Sequence, residues 1–592
     1  MNDIDLLEPE KLYSLRLKDE HHSRVEKYFD DLTKQSGVDI GANKETCTKY
    51  YQNETLIQKY TKKLNGQRAL MGLFIAMIVA GVILFAIAFL LKTSVRILFF
   101  IFGPALLILG IVLLCTVYRN NAKKFKSELS RLTAIGEQLK LEALKQMSAL
   151  NRLFDPQISS RLFSETVPLI QMDRIFDAKK FEMLKEKYGL WGNEDEERST
   201  LNLQSGTILG NPFVFFKDKV MKMMPHRYEG TLVITYTTRH VDSKGHSYTI
   251  THTQTLHAFV TKPRPEYSKE TYLIYGNEAA PHLSFKRLKS NINSMDEKGI
   301  EKYVHKNEKN LTKLAEKQMS KGGTYTPLGN SEFELFFGGL DRDHEVEYRL
   351  LFTPLAQKAE LALLKSKVGF GDDFNMQKIK MINIVESEHS QGDSIFAQVE
   401  DFRGFDYEVI KEHFITFNDY YFKAVYFDFA PLMAIPLYQQ YKPREYIYRQ
   451  TYKGNFAPFE HETIANRYHL KDFMHPDSDT DAIIKTVLNK NMNGIDEVNV
   501  ISHSYKAVSH VEIVPTLGGD GRMHGVPVTW YEYVPLTQSG NIIHVADVGG
   551  TLPEFNRLGN KDVIYERGLV SSSNLLNVDI NSLKSRMAKK EN

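Results

Sequence analysis

The sequence predicts a two-span α-helical membrane hairpin with a helical juxtamembrane region, followed by a large cytoplasmic α+β portion with long antiparallel β-hairpins. Three observations predict it. Two uncharged apolar runs, Ala69–Leu91 and Ile97–Val117, are separated by only five residues. Positive charge collects on their outer flanks, and the chain after them alternates between strand and helix periodicity with glycine-bearing turns.

Before the apolar runs, Glu10 to Ser36 reads as a helix. Pro9 stands at its start, Leu15, His22, Val25, Phe29 and Leu32 recur on one face, and Gly37 ends it. A second polar helix, around Lys44–Leu64, leads into the first run. That run has 23 residues, enough to cross ~30 Å of hydrocarbon at ~1.5 Å per residue, and the second is of similar length. Pro104 follows Gly103 inside the second run and predicts a local kink.

Lys59, Lys62, Lys63 and Arg68 precede the first run, and Arg119, Lys123, Lys124 and Lys126 follow the second, whereas the connecting loop holds Lys92 and Arg96. Positive residues favour the cytoplasmic side, so both termini are expected there, in a plasma membrane protein of multi-pass topology. The first run begins too late for a cleavable signal peptide. About 470 residues then lie on the cytoplasmic side, and the sequons at Asn53 and Asn310 are chance matches.

Beyond the second run, Phe125, Leu129, Leu132, Leu139, Ala143, Leu150 and Leu153 keep heptad spacing, interrupted at Gly136 and Gln146. This reads equally as a coiled-coil stalk or as an amphipathic helix packed on the soluble part, and Pro156 stops it. Acidic "GNEDEERST", Gly192–Thr200, is a loop at the edge of the β-rich region. The charged stretch from Asp296 closes at Gly322 and Gly323 as a solvated helix, and Thr353 and Pro354 open another, with Gly369 past its end. Composition turns aromatic and β-rich around Ile435–Tyr446, and "LKSRMAKKEN" reads as a frayed basic tail. The resulting division is 1–68 N-terminal helices, 69–91 first span, 92–96 external loop, 97–118 second span, 119–190 helical stalk, 191–436 α+β domain and 437–592 a C-terminal β-rich domain or extension.

Composition is ordinary for a globular chain, with 75 Lys+Arg against 73 Asp+Glu, so nothing favours nucleic acid as a partner. The two cysteines, Cys47 and Cys115, supply neither a disulfide framework nor a thiolate metal site.

Four constellations invite chemistry. "RHVDSKGHSYTITHTQTLH", Arg239–His257, places Asp242 and Gly245 in a three-residue hairpin loop with a bulge. That register pairs His240 with Tyr248, Tyr236 with His252 and Leu232 with Leu256. Leu232, Ile234, Tyr236, Ile250 and Leu256 then share one face, and Thr235, Thr237, Thr249, Thr251, Thr253 and Thr255 the other. His240 and His252 lie roughly 13 Å apart along the ribbon, and only His240 and His246 are near enough to share an ion, with no third ligand. "DSDTDAIIKTVL", from Asp477, lacks the glycine and glutamate of a calcium loop, since Ala482 and Leu488 stand there, and reads as an acidic helix N-terminus. "LGGDGRMHGVP", Leu517–Pro527, is followed by a strand rather than a helix, so its glycines belong to the turn of a second long hairpin and not to a phosphate loop. His503, His510, His524 and Asp520 are scattered around that hairpin. No catalytic, cofactor-binding or metal-ligating residue is assigned, and no cofactor is expected.

"EFELFFGGLDRDHEVEYRLLFTP", Glu332–Pro354, resembles a family of uncharacterised bacterial two-span membrane proteins, a domain of unknown function sometimes labelled galanin-like. Phe333, Phe336, Asp343, Glu345, Tyr348, Leu351, Thr353 and Pro354 carry the likeness, followed by a helix with Leu361 and Leu364; the likeness covers residues 1 to about 430. It implies two close spans and a bacterial plasma membrane and brings no activity. Physically the stretch reads as a strand, a charged turn, a strand and a capped helix. The functional expectation is a non-enzymatic membrane-tethered binding or scaffold protein, contacting the bilayer and a protein partner or a second copy of itself. The alternatives are a membrane-anchored hydrolase built from dispersed His, Asp and Glu, or an accessory subunit of a transport or envelope complex.

Overall fold

The computed structural model describes residues 7–90, 96–241, 246–323, 325–392, 395–396, 399–440, 452–492, 494–549 and 563–572. The hairpin turn at Asp242–Gly245, loop residues 92–95, much of the compositional boundary near residue 440 and the basic tail lie outside the described residues. The chain is an α+β protein that divides into two compact units: Glu26–Phe154 with Gln398–Thr416, and the remainder.

In the smaller unit, the polar helix and the first apolar run form one continuous helix, Ile40–Leu90. The second run forms Arg96–Leu113, which continues through Pro104, passes a π-helical turn at Leu114–Tyr118 and extends as Arg119–Asn151. The two arms run antiparallel. At one end the Asn43 amide donates to Gln146 Oε1 (3.3 Å) and Gln146 Nε2 donates to Thr46 Oγ1 (3.0 Å). At the other, Phe89 meets Phe100 with ring centroids 5.1 Å apart. Glycines set the approach of the apolar parts. A Cβ on Gly81 would stand 2.8 Å from Leu107 N, and one on Gly103 2.9 Å from Phe85 N. Small residues let helix backbones meet in this way in lipid. Both helices are long and apolar enough to cross a membrane, and only 11% of each most apolar window is buried within the protein. Ile97, Ile101, Phe102, Ile108, Leu73 and Phe89 are thus left exposed.

The interruptions read into the stalk heptads are contacts. A Cβ on Gly136 would come 2.9 Å from Asn53 Nδ2, and the Asn53 amide, buried, donates to Leu132 O at 2.8 Å. Leu132, Gly136, Ala143, Met147 and Leu150 form the buried stripe.

The N-terminal helix begins at Pro9 and is closed by Gly37 at φ +62°, as expected. Its buried face differs from expectation: Leu17, His21, Val25, Phe29 and Leu32 are buried, while Leu15 and His22 are exposed. A π-helical turn at Tyr13–Leu17 adds a residue to one turn and shifts the phase of Leu15, while His22 faces out beside the buried His21 and bonds Asp419 at the surface (2.7 Å).

The larger unit holds two antiparallel sheets. Strands β1 (Ile170–Met172), β2 (Arg198–Ile208), β3 (Asn211–Val241), β4 (Ser247–Gly276), β5 (Ser284–Arg287), β6 (Phe374–Ile379) and β7 (Ile382–Ser387) order as β1-β2-β3-β4-β7-β6-β5. Strands β8 (Ile483–Met492), β9 (Ile495–Leu517), β10 (Met523–Asp547), β11 (Val563–Glu566) and β12 (Leu569–Ser572) order as β11-β12-β10-β9-β8. The base of β3, "NPFVFF", lacks alternation because both of its faces are covered. Phe213 and Phe215 pack with Phe429 of the Tyr407–Met433 helix, and Phe216 packs with Phe459 on the opposite side. Phe459 belongs to a helix, Pro458–Ala465, in which every residue is buried. Its acidic and imidazole groups bind both sheets: Glu462 accepts from Thr200 N of β2 (3.0 Å), and His461 pairs with Asp496 of β9 (3.1 Å).

Two local readings are corrected. Glu332–Pro354 is helical, with Ser331–Phe336 and Glu345–Leu351 preceding the expected Pro354–Lys365 helix. Asn330 and His344 cap the two short helices, as Thr353 caps the third, and such caps outweigh the strand-like alternation of "FELFF". After Asp477, Ile483–Met492 is a strand rather than a helix, consistent with its Ile, Thr and Val content and its buried start.

Candidate functional site

Strand β3 is paired with β2 only as far as Val220, and β4 with β7 only from Leu273. Beyond those points β3 and β4 continue as a two-stranded ribbon, of order 70 Å for its roughly 20 residues at ~3.3 Å each. The register is the predicted one: Leu232 opposite Leu256, Tyr236 opposite His252, His240 opposite Tyr248. A lone ribbon cannot bury its apolar face. Here β9 and β10, also a ribbon beyond Ser504, lie against it: Ile234, Leu256, Ala258 and Val260 pack with Val526 and Val528. The ribbons form a four-stranded, two-layer arm.

Contact is close enough to require glycine. A Cβ on Gly230 would stand 2.1 Å from Pro527 O, and one on Gly519 2.2 Å from the Tyr236 hydroxyl. Of the glycines in "LGGDGRMHGVP", Gly521 alone has positive φ (+75°); Gly518 and Gly519 are packing positions against the first hairpin. Because the second hairpin ends level with Tyr236, Ile250 lies on the inward face but past its cover, and is exposed.

The arm's two outer faces differ in chemistry. On the first hairpin, Thr235, Thr237, Thr249, Thr251, Thr253 and Thr255 face out and are exposed, with Val233 and Phe259 exposed nearer the base of the same face. On the second, Val511, Ile513, Leu517 and Met523 form an apolar ladder, each 60–62% exposed, on the face away from the arm's core.

The histidines do not converge on one centre. His240 and His252 are nearer than strand spacing predicts, because Thr238 Oγ1 bridges their Nε2 atoms at 2.9 and 2.8 Å; long side chains lean along the ribbon. His510 pairs with Glu532 (2.9 Å), His524 with Asp520 (3.0 Å), and His503 lies 3.8 Å from Glu196. The acids after Asp477 hold the loop to its surroundings: Asp479 accepts from Ala507 N (2.9 Å), and Asp481 pairs with Lys219 (2.6 Å).

A group that invites comparison with a nucleophile–base pair is Ser390, His389, Asp373 and Asp428. His389 Nδ1 faces Asp373 (2.5 Å) and Nε2 faces Ala424 O (3.1 Å), while Ser390 Oγ donates to Asp428 (2.5 Å). Burial opposes charge on His389, but Asp428 and Asp373 outweigh it and raise its pKa; burial raises that of Asp428. The serine is not bonded to the imidazole, so this is a buried ion cluster without an activated nucleophile.

One cluster escaped the sequence reading. His282, in the loop after β4, meets His344 and Glu347 at the start of the Glu345–Leu351 helix, and one donor atom from each lies within 4.8 Å of the others. Comparison with known protein families, with curated proteins and with solved structures gives no match to this chain.

Proposed function

We propose that the chain is a membrane-anchored binding protein: the apolar helical pair holds it in a bilayer, and the double-hairpin arm docks a protein partner through the Val511/Ile513/Leu517/Met523 ladder. The observation that carries this reading is the ladder itself, four large apolar side chains aligned and exposed on a sheet face whose opposite side holds the buried Val526 and Val528 against the first hairpin. Contiguous exposed apolar surface of this kind marks interaction sites. The scarcity of buried residues in the two apolar windows supports the anchor, since lipid is the solvent that such a surface suits. The scattering of the arm histidines among separate partners favours binding over hydrolysis. The bacterial two-span layout suggested by Glu332–Pro354 belongs to this same reading.

The test is site-specific photo-crosslinking in native membranes, with the photoreactive residue at Ile513 or at Thr251. A discrete crosslinked species from Ile513 that is lost with Val511→Asp, and none from Thr251, is expected. No discrete species from Ile513, or an equal yield from both faces, would rule the docking face out.

A further inference from the structure

The geometry points to a divalent transition-metal site formed by His282, His344 and Glu347, in the borderline class of zinc, with coordination positions left for water or a ligand. Glu347 Oε2 accepts from the backbone N–H groups of both His282 (2.9 Å) and Leu283 (3.0 Å), and Oε1 accepts from His282 Nδ1 (2.7 Å). The same loop is tied twice more, Asp343 accepting from Ser284 N (2.6 Å) and Asp341 from Lys286 N (2.9 Å). These bonds fix the start of one helix against the 282–286 segment, so the two imidazoles face each other, with ring centroids 5.9 Å apart and planes at 29°.

The donor set is two imidazoles and one carboxylate, which suits zinc and its neighbours and not calcium or magnesium, whose ligands are oxygens. Donor atoms around a tetrahedral zinc stand ~3.3 Å apart. Closing the present separation, up to 4.8 Å, calls for rotation of the two imidazoles and exchange of the His282–Glu347 hydrogen bond for a metal bond. His344 Nδ1 accepts only a long 3.4 Å bond from Glu347 N, so engaging that ring costs one weak cap. His344 is the N-cap of the Glu345–Leu351 helix and Glu347 its third residue, and the cap bond from Glu347 N to His344 Nδ1 brings the two together.

The experiment uses the tag-free full chain in detergent, stripped with chelator and titrated with Zn2+ alone by calorimetry, with Co2+ absorption as a coordination readout. One equivalent of Zn2+ per chain is expected, with at least tenfold weaker binding for His282→Ala and for His344→Ala, and no change for His240→Ala on the arm. His282 is largely exposed, and its backbone N–H and that of Leu283 still bond Glu347 in His282→Ala, so this variant keeps the fold even where His344→Ala does not. Absence of a saturable site, or an affinity unchanged in His282→Ala, would overturn the assignment.

Discussion

His21 sits 1% exposed, stacked on Phe422 at 4.0 Å, with its ring nitrogens 3.0 Å from Thr166 Oγ1 and 3.2 Å from Asn418 O. Burial lowers its pKa from 6.5 to about 3. The unfolded chain therefore takes up a proton near pH 6.5 that the folded chain refuses. The stability carried by neutral His21 is present above pH 6.5 and is lost as pH falls from 6.5 toward 3, by ~1.4 kcal/mol per unit. Melting curves of His21→Phe are expected to lose ~1–2 kcal/mol at pH 7.5, from two missing hydrogen bonds, yet to fall less steeply than wild type between pH 6.5 and 5. An unaltered slope would refute the role of His21. Lys378 carries the same sign of linkage in a higher pH window. It is fully buried, donates to Ala279 O (3.1 Å), and burial brings its pKa down to about 7. The unfolded chain keeps its proton up to pH 10.5, so the penalty grows as pH falls from 10.5 to 7 and is complete below 7. Lys378→Met is expected to stabilise by ~1–3 kcal/mol at pH 6.5 and by less at pH 10, as read by denaturant midpoints. Destabilisation at pH 6.5 would show that the ammonium's contacts outweigh its burial.

At the scale of elements, the hairpins were more legible than the helices between them. Alternation and a glycine-bearing turn suffice to set a ribbon's register, and Leu232–Leu256 and His240–Tyr248 pair as read. What covers the ribbon was not legible, because Val526 and Val528 are remote in sequence from Ile234 and Leu256. The signal for that contact was Gly230, a glycine with no turn to serve. Gly230→Ala places a methyl against the Pro527 backbone oxygen and is expected to cost ~1–3 kcal/mol, with hydrogen exchange accelerating in 228–260 and 511–531 together. Protection unchanged in the second segment would mean that the ribbons do not depend on each other. Gly81, Gly103 and Gly110 were equally visible and went unread as the seam of the apolar helices. The metal-ligand cluster was hidden by one mistaken element. Read as a charged turn leading into a strand, the stretch gives His344 and Glu347 no reason to meet; as the N-cap and third residue of a helix they are joined by the cap bond.

At the scale of the whole molecule, the chain combines a pair of apolar helices with exposed flanks and an α+β unit whose longest strands leave their sheets to build a two-layer ribbon, one outer face rich in threonine and the other in aliphatic side chains. Charge flanking the apolar runs is the topological signal in the sequence, and a cytoplasmic position for the arm is the expectation that follows from it. The most direct measurement is impermeant maleimide labelling of intact cells, on a background with Cys47 and Cys115 replaced, comparing Ser94→Cys between the apolar runs with Thr251→Cys on the arm. The account predicts that Ser94→Cys labels in intact cells and Thr251→Cys only after permeabilisation. Labelling of Thr251→Cys in intact cells, or of neither or both positions solely after permeabilisation, would contradict it.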